Sequence, residues 1–442
     1  TACGGPTPEP EPEPEPAPAG GGRRTPSEDR LPVEVDGTTA TGGTNDTDAY
    51  EIDELDATAI DRDDEGDGVD VLAAYDIDPK TDDVDVAEIC VTYDEDEVED
   101  AGMDEDDLEL FHLPGSGRDL ITTTHDTTDD VLCGETESFS PFVIGVLETE
   151  RLAGHDAPGT AAAISAATFE PGVERVYIAG AQATADALAT GPVAAASGSP
   201  VLLARRDDLP STTRRELARL QPATVILVGG TAAIGQAVED ELVALGHTVS
   251  RIAGDDRYAT AALLALAGFG RGVERVYVAR GEGYADAVVA GAAAAAEGVP
   301  VLLSPTSSVS AWTRRAIDLL GATDVVVVGG TAAVADAVAV ELGATRLAGA
   351  DRYSTAVVLA AKAFPTGTPV FAASGTSFTD ALVAAPAAAR RGAAIVLVRT
   401  DEVPVTVAST LDALDPTTIT VLGGTAAISK QTESDLALHL DD

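Results

Sequence analysis

Two hydrophobic rhythms run along this chain, and they change over near residue 150. Beyond that point, continuous apolar runs of strand length alternate with alanine-rich stretches of helix length. Val173-Glu-Arg-Val-Tyr-Ile-Ala-Gly180, Pro200-Val-Leu-Leu-Ala204 and Thr224-Val-Ile-Leu-Val-Gly-Gly230 predict strands, with helices expected from about Thr184, Pro210 and Thr231. Strands without a polar face, each followed by a helix, require a parallel sheet covered on both sides. Before residue 150 the pattern has period two, in Ala49-Tyr-Glu-Ile-Asp53, Val69-Asp-Val-Leu72, Ala87-Glu-Ile-Cys-Val-Thr-Tyr93 and Leu108-Glu-Leu-Phe-His112. Asp/Gly/Thr clusters separate these segments, as in a small β-sandwich. No apolar run is long enough to cross a bilayer as a helix.

The second part repeats itself. Arg151-Leu-Ala-Gly154, Arg251-Ile-Ala-Gly254 and Arg346-Leu-Ala-Gly349 open three units. Ala185-Asp-Ala-Leu188, Ala285-Asp-Ala-Val288 and Thr379-Asp-Ala-Leu382 follow, and then Gly229-Gly-Thr-Ala-Ala-Ile234, Gly329-Gly-Thr-Ala-Ala-Val334 and Gly423-Gly-Thr-Ala-Ala-Ile428. Landmarks in constant order mark internal duplication of a whole domain-sized unit. The expected organisation is a tether over residues 1–31, an acidic β-sandwich over 32–148, and α/β units over 149–250, 251–345 and 346–442.

Charge sharpens the division. The chain carries 75 Asp and Glu against 27 Lys and Arg, and residues 1–150 hold 45 of the acids but only 6 of the bases. Self-repulsion on that scale is relieved by salt, whose screening length falls to about 3 Å at 1 M. A salt-adapted, archaeal-type surface protein is expected, and nucleic acid is excluded as a partner by the sign of the charge. At the start, Thr1-Ala2-Cys3-Gly4 reads as the remnant of a lipobox with lipidation at Cys3. The Pro-Glu alternation from Pro6 to Pro18 then forms an extended, disordered spacer. Cys90 and Cys133 both fall on predicted strands of an exported domain, so a disulfide between them is expected.

The repeated landmarks resemble the cell-wall-binding repeat 2 family of surface-layer and autolysin-associated proteins. The segment from Cys90 to Phe142 is more loosely similar to a β-sandwich module of microbial surface proteins. The family resemblance implies three doubly wound units in a pseudo-threefold arrangement that attach noncovalently to anionic wall polymers. The first unit departs from the pattern: His155-Asp-Ala-Pro158 stands where the others have Asp255-Asp-Arg-Tyr258 and Ala350-Asp-Arg-Tyr353. One of three equivalent sites is therefore expected to be degenerate. The partner is expected to be an envelope glycan or surface glycoprotein, with self-association as a further option and the membrane reached by a lipid anchor only.

Candidate chemistry lies in the landmarks. Arg257 with Tyr258, and Arg352 with Tyr353, pair a bidentate donor with an aromatic platform suited to sugars bearing carboxylate or phosphate. The same arginines could instead form ion pairs with Asp186, Asp286 or Asp380 of a neighbouring unit. Thr231, Thr331 and Thr425 are expected as helix N-caps, presenting free N–H groups to an anion or merely marking tight strand-to-helix packing. The Gly-Gly-Thr turn is not a dinucleotide fingerprint or a phosphate loop, so no cofactor is expected. Asp61, Asp63, Glu65 and Asp67 alternate as in a calcium loop, but Leu72 occupies the position that needs Glu, and no metal is expected. The chain lacks the catalytic motifs of serine hydrolases and zinc peptidases, so a binding protein is expected rather than an enzyme, which would need additional chain. Finally, an Arg-x-Ala-Gly strand precedes each core but none follows the last, so Leu147–Gly154 could complete the third unit and close a ring; in the simpler alternative each strand serves the core it precedes and the units meet only through helices and loops.

Overall fold

The computed structural model describes residues 33–39, 50–55, 69–79, 84–113, 119–136, 141–182, 187–283 and 285–440. Cys3, the Pro-Glu spacer, the acidic run containing Asp61, Asp63, Glu65 and Asp67, and Asp186 lie outside the described residues.

The acidic part folds into two antiparallel sheets. Its elements are β1 (Val33–Thr39), β2 (Tyr50–Leu55), β3 (Val69–Pro79), β4 (Val84–Thr92), α1 (Glu95–Ala101), β5 (Glu109–His112), β6 (Asp119–Leu120), β7 (Thr122–Asp126), β8 (Val131–Thr136) and β9 (Phe142–Leu147). The strand orders are β1-β4-β8-β7 and β2-β3-β9-β5-β6. Ile77 and Ile144 from one sheet share a core with Ile89, Val91 and Leu132 from the other. The alternation that buries Ile89 and Val91 leaves Cys90 half-buried on the opposite face. There it stands directly across from Cys133, to which it is disulfide-bonded.

After β10 (Glu150–Leu152), the first unit contains α2 (Ala157–Ala166), β11 (Arg175–Gly180), α3 (Thr190–Ala196), β12 (Val201–Ala204), α4 (Ser211–Leu220), β13 (Thr224–Val228), α5 (Gln236–Ala244) and β14 (Val249–Ile252). The second repeats the pattern with α6 (Arg257–Gly268), β15 (Arg275–Arg280), α7 (Ala285–Glu297), β16 (Val301–Ser304), α8 (Ala311–Leu320), β17 (Asp324–Val328), α9 (Asp336–Leu342) and β18 (Thr345–Leu347). The third has α10 (Arg352–Ala363), β19 (Val370–Ser374), α11 (Phe378–Arg391), β20 (Ala394–Val398), α12 (Val405–Leu414), β21 (Ile419–Leu422) and α13 (Lys430–Ala437). Each unit is a four-stranded parallel sheet, ordered β12-β11-β13-β14, β16-β15-β17-β18 and β20-β19-β21-β10.

The last of these orders closes a cycle. β14 and β18, which open the second and third units in sequence, complete the sheets of the units before them. β10 pairs in parallel with β21, so Arg151 lies opposite Val421 and the start of the first unit completes the third. Arg391 at the end of α11 secures this junction, bonding the Glu150 carboxylate at 2.6 Å and the Ala167 carbonyl at 2.9 Å. The alternative, in which each opening strand serves the core it precedes, is not realised.

At the centre of the cycle α3, α7 and α11 pack on one another. The contact between α3 and α11 needs a glycine: a Cβ on Gly191 would stand 2.7 Å from that of Ala385. The β domain is seated on the third unit. Ala437 of α13 joins the apolar cluster of Val69, Phe111 and Val143, while Lys430 pairs with Glu109 at 3.3 Å.

Candidate functional site

A parallel sheet whose first strand lies inside the order leaves a crevice at the strands' C-terminal ends, where successive connections depart in opposite directions. In the second unit that point lies between β15 and β17. A cleft of about 420 Å³ opens there. Its walls carry Arg280 from the end of β15, Asp286 from the first turn of α7, and Gly330 and Ala333 from the turn after β17. The third unit supplies Gly349 and Asp351 from the connection between β18 and α10, Arg352 from the first position of α10, and Phe378 from the start of α11. All three repeated landmarks therefore meet in one place, and two units contribute to it.

The first glycine of the Gly-Gly-Thr turn is fitted to the repeated aspartate. Gly329 and Gly423 have φ of 101° and 96°, in the region that side chains disfavour. A Cβ on Gly423 would stand 2.7 Å from the Asp380 Oδ2, and one on Gly329 would collide with the Asp286 carboxylate. The turn thus lets a carboxylate lie against backbone at the sheet's end. Burial raises the pKa of Asp286, while the charges of Arg352 and Arg280 draw it back down. Asp380 has no such help, and burial alone pushes its carboxyl up to about 6.

The threonines do not cap helices as expected. Ala233 and Ile234 donate to the Gly230 carbonyl at 2.9 and 3.1 Å, closing a single turn in which Thr231 is exposed. The fully buried Ile234, Val334 and Ile428 then turn the chain into the core. The following helices start later, with Gly235, Ala335 and Ser429 at their N-caps. Thr331 and Thr425 are likewise exposed turn residues. The capping role belongs to the aspartate of the opening landmark: Asp156, Asp256 and Asp351 accept from the backbone N–H of Gly159, Ala259 and Ser354.

The Arg-Tyr pairs have divided roles. Arg257 donates to the Gly281 carbonyl and Arg352 to that of Gly375, each at 2.6 Å, so both hold the loop after the first strand of their own unit. Arg352 also faces the cleft, where it stacks 5.2 Å from the Phe378 ring centroid. It acts on Asp286 through its charge without forming an ion pair with it among the described residues. The tyrosines are not open platforms. Tyr353 is buried, with Arg399 over its ring at 5.2 Å, and Tyr258 donates to Glu282 at 3.3 Å. The aromatic surface in the cleft is Phe378.

Sequence reasoning passed over the arginine that opens each landmark. Arg151, Arg251 and Arg346 donate to the carbonyls of Gly423, Gly229 and Gly329, at 2.7, 2.8 and 2.6 Å. Each latches an opening strand onto the glycine turn of the unit it completes. Its recurrence five residues before the aspartate cap was the available signal.

The profile of cell wall binding domain 2 (CWB2) matches residues 151–239, 251–339 and 346–433. The N-acetylmuramoyl-L-alanine amidase LytC of Bacillus subtilis is 29% identical over 299 residues, a match covering 67% of this chain and 60% of that protein. The amidase enhancer of the same organism is 28% identical over 258 residues, covering 57% and 35%. The chain thus spans less than two thirds of the length of these relatives. Among solved structures, Cwp6 and Cwp8 from Clostridium difficile share the fold with TM-scores of 0.62 and 0.63, at 19% and 22% identity. Each covers 89% of this chain, which in turn covers 68% and 64% of theirs. With three matched repeats spanning most of its length, the chain belongs to the cell wall binding domain 2 family.

Proposed function

We propose that this protein is a noncatalytic surface protein that attaches to the cell envelope, its three units in a pseudo-threefold arrangement gripping an anionic glycan at the junctions between them. The observation that carries this reading is the convergence of all three landmarks, from two units, on one cleft. The chemistry suits a charged sugar: guanidinium forks for an oxyanion, a carboxylate to accept from hydroxyls, and the Phe378 ring for an apolar sugar face. Membership of a cell-wall-binding family supports it. In the same reading the acidic part is a β-sandwich displayed on this base, outside the cell, with Cys3 as the lipid attachment point and the Pro-Glu stretch as spacer.

The test is co-sedimentation of the full chain with isolated envelope. The wild type is expected in the pellet, and the Arg257→Ala/Arg352→Ala double variant in the supernatant. Equal retention of both removes the clefts from the account. Self-association without envelope binding supports a structural assembly subunit instead.

A further inference from the structure

The three junctions of the cycle are not equally charged, and part of the difference comes from a residue outside every landmark. Arg280 ends β15, whereas the same position is Gly180 at the end of β11 and Ser374 at the end of β19. The position of Arg352 is filled by Arg257 where the second unit meets the first, and by Ala157 where the first meets the third. At these two positions the junction of units two and three carries two guanidinium groups, that of units one and two carries one, and that of units three and one carries none, Arg205 there pairing with Asp156 at 2.7 Å instead. The landmark aspartate is retained at all three.

Both arginines of the richest junction have donors to spare. The Nε of Arg280 is buried without a hydrogen-bond partner among the described residues, the Glu282 carboxylate being 3.7 Å away. The Arg280 side chain is 36% exposed and lines the cleft, so its terminal nitrogens are the donors that a ligand oxygen can reach. Arg352 commits Nη1 to the Gly375 carbonyl and leaves the rest of its fork uncommitted among the described residues. Asp286 beside them supplies an acceptor, which a wholly cationic pocket would lack and which sugar hydroxyls require. Arg280 and Arg352 come from different units, so an anion held by both is held only where the two units meet.

We propose that the junction of units two and three is the chain's one strong ligand site, taking an acidic sugar whose oxyanion sits between Arg280 and Arg352, and that Arg280 is the residue that sets it above the other junctions. This rests on the reading of the clefts as glycan sites. The chain is then monovalent at low ligand concentration, and the other junctions contribute weakly.

The experiment is a set of binding isotherms of the full chain on isolated envelope at fixed ionic strength. Arg280→Ser installs the third unit's own residue, so folding is expected to be unchanged by circular dichroism and Tm. Its apparent affinity should fall about tenfold or more, as loss of a charge-assisted contact requires. Arg352→Ala should fall comparably, and Arg257→Ala by less than about twofold. Glucuronate and glucose 6-phosphate should displace the wild type more effectively than uncharged glucose, and should lose that advantage against Arg280→Ser. If Arg280→Ser binds like wild type, if Arg257→Ala weakens binding as much as Arg352→Ala, or if glucose competes as well as the charged sugars, the graded site is overturned while envelope binding stands. Failure of the wild type to bind at all overturns both.

Discussion

Arg151→Ala is expected to destabilise the protein by about 3–5 kcal/mol, the cost of leaving a buried charge without its partner. Arg151 holds Glu433 through Nε at 3.0 Å and Nη2 at 2.6 Å, and the Gly423 carbonyl through Nη1. Its side chain is 16% exposed and that of Glu433 only 4%, so the carboxylate would be left largely desolvated. The pair joins the first strand of the three-unit body to its last helix, and Thr149 adds a further contact to the same carboxylate at 3.3 Å. Arg346→Ala provides the control. Its partner Asp336 is 76% exposed, so that ion pair contributes little and the loss should be roughly 1 kcal/mol, from the carbonyl bonds. Thermal unfolding of the two variants beside wild type checks this. Equal losses would mean that the closing junction is no more buried than the others.

Asp380→Asn is expected to stabilise the protein above pH 6 and to change little near pH 4. Asp380 is 6% exposed, and burial raises its carboxyl from the ordinary 3.8 to about 6. In that window the folded state holds a proton that the unfolded chain has released. Stability is therefore greatest below the unfolded value and declines as pH rises through about 6, by on the order of 3 kcal/mol. Asparagine removes that decline, so the difference in stability between variant and wild type should grow from pH 4 to pH 8. Asp286→Asn should gain less, because Arg352 and Arg280 already compensate its charge. Destabilisation by Asp380→Asn at pH 8 would show that the carboxylate is well paired, against the degenerate third junction described above.

This contrast explains a misplacement inherent in reading the chain linearly. The sequence departs from the pattern at Ala157 and Pro158, in the first unit, yet the depleted junction holds Asp380 of the third, because β10 pairs with β21. The strand-helix alternation and the need for a further edge strand around Leu147–Gly154 were legible, since continuous apolar strands and an uncompleted sheet leave traces in one dimension. The capping threonines were misread because Ile234, Val334 and Ile428 look like the first apolar positions of a helix but are spent in the core before it starts. Tyr353 looks like a platform in sequence, but Arg399, arriving from the end of β20, covers its ring. Arg280 carried no signal as a repeated residue, and its interest lies in the fact that Gly180 and Ser374 differ from it.

Hydrogen exchange of the full chain, with and without isolated envelope polysaccharide, tests the central claim most directly, because it locates contact rather than counting it. Slowed exchange is predicted at Asp286, Gly330 and Ala350–Arg352, around the cleft between the second and third units. Protection confined to the β domain, or to the exposed outer helices of the units, would contradict attachment through the clefts.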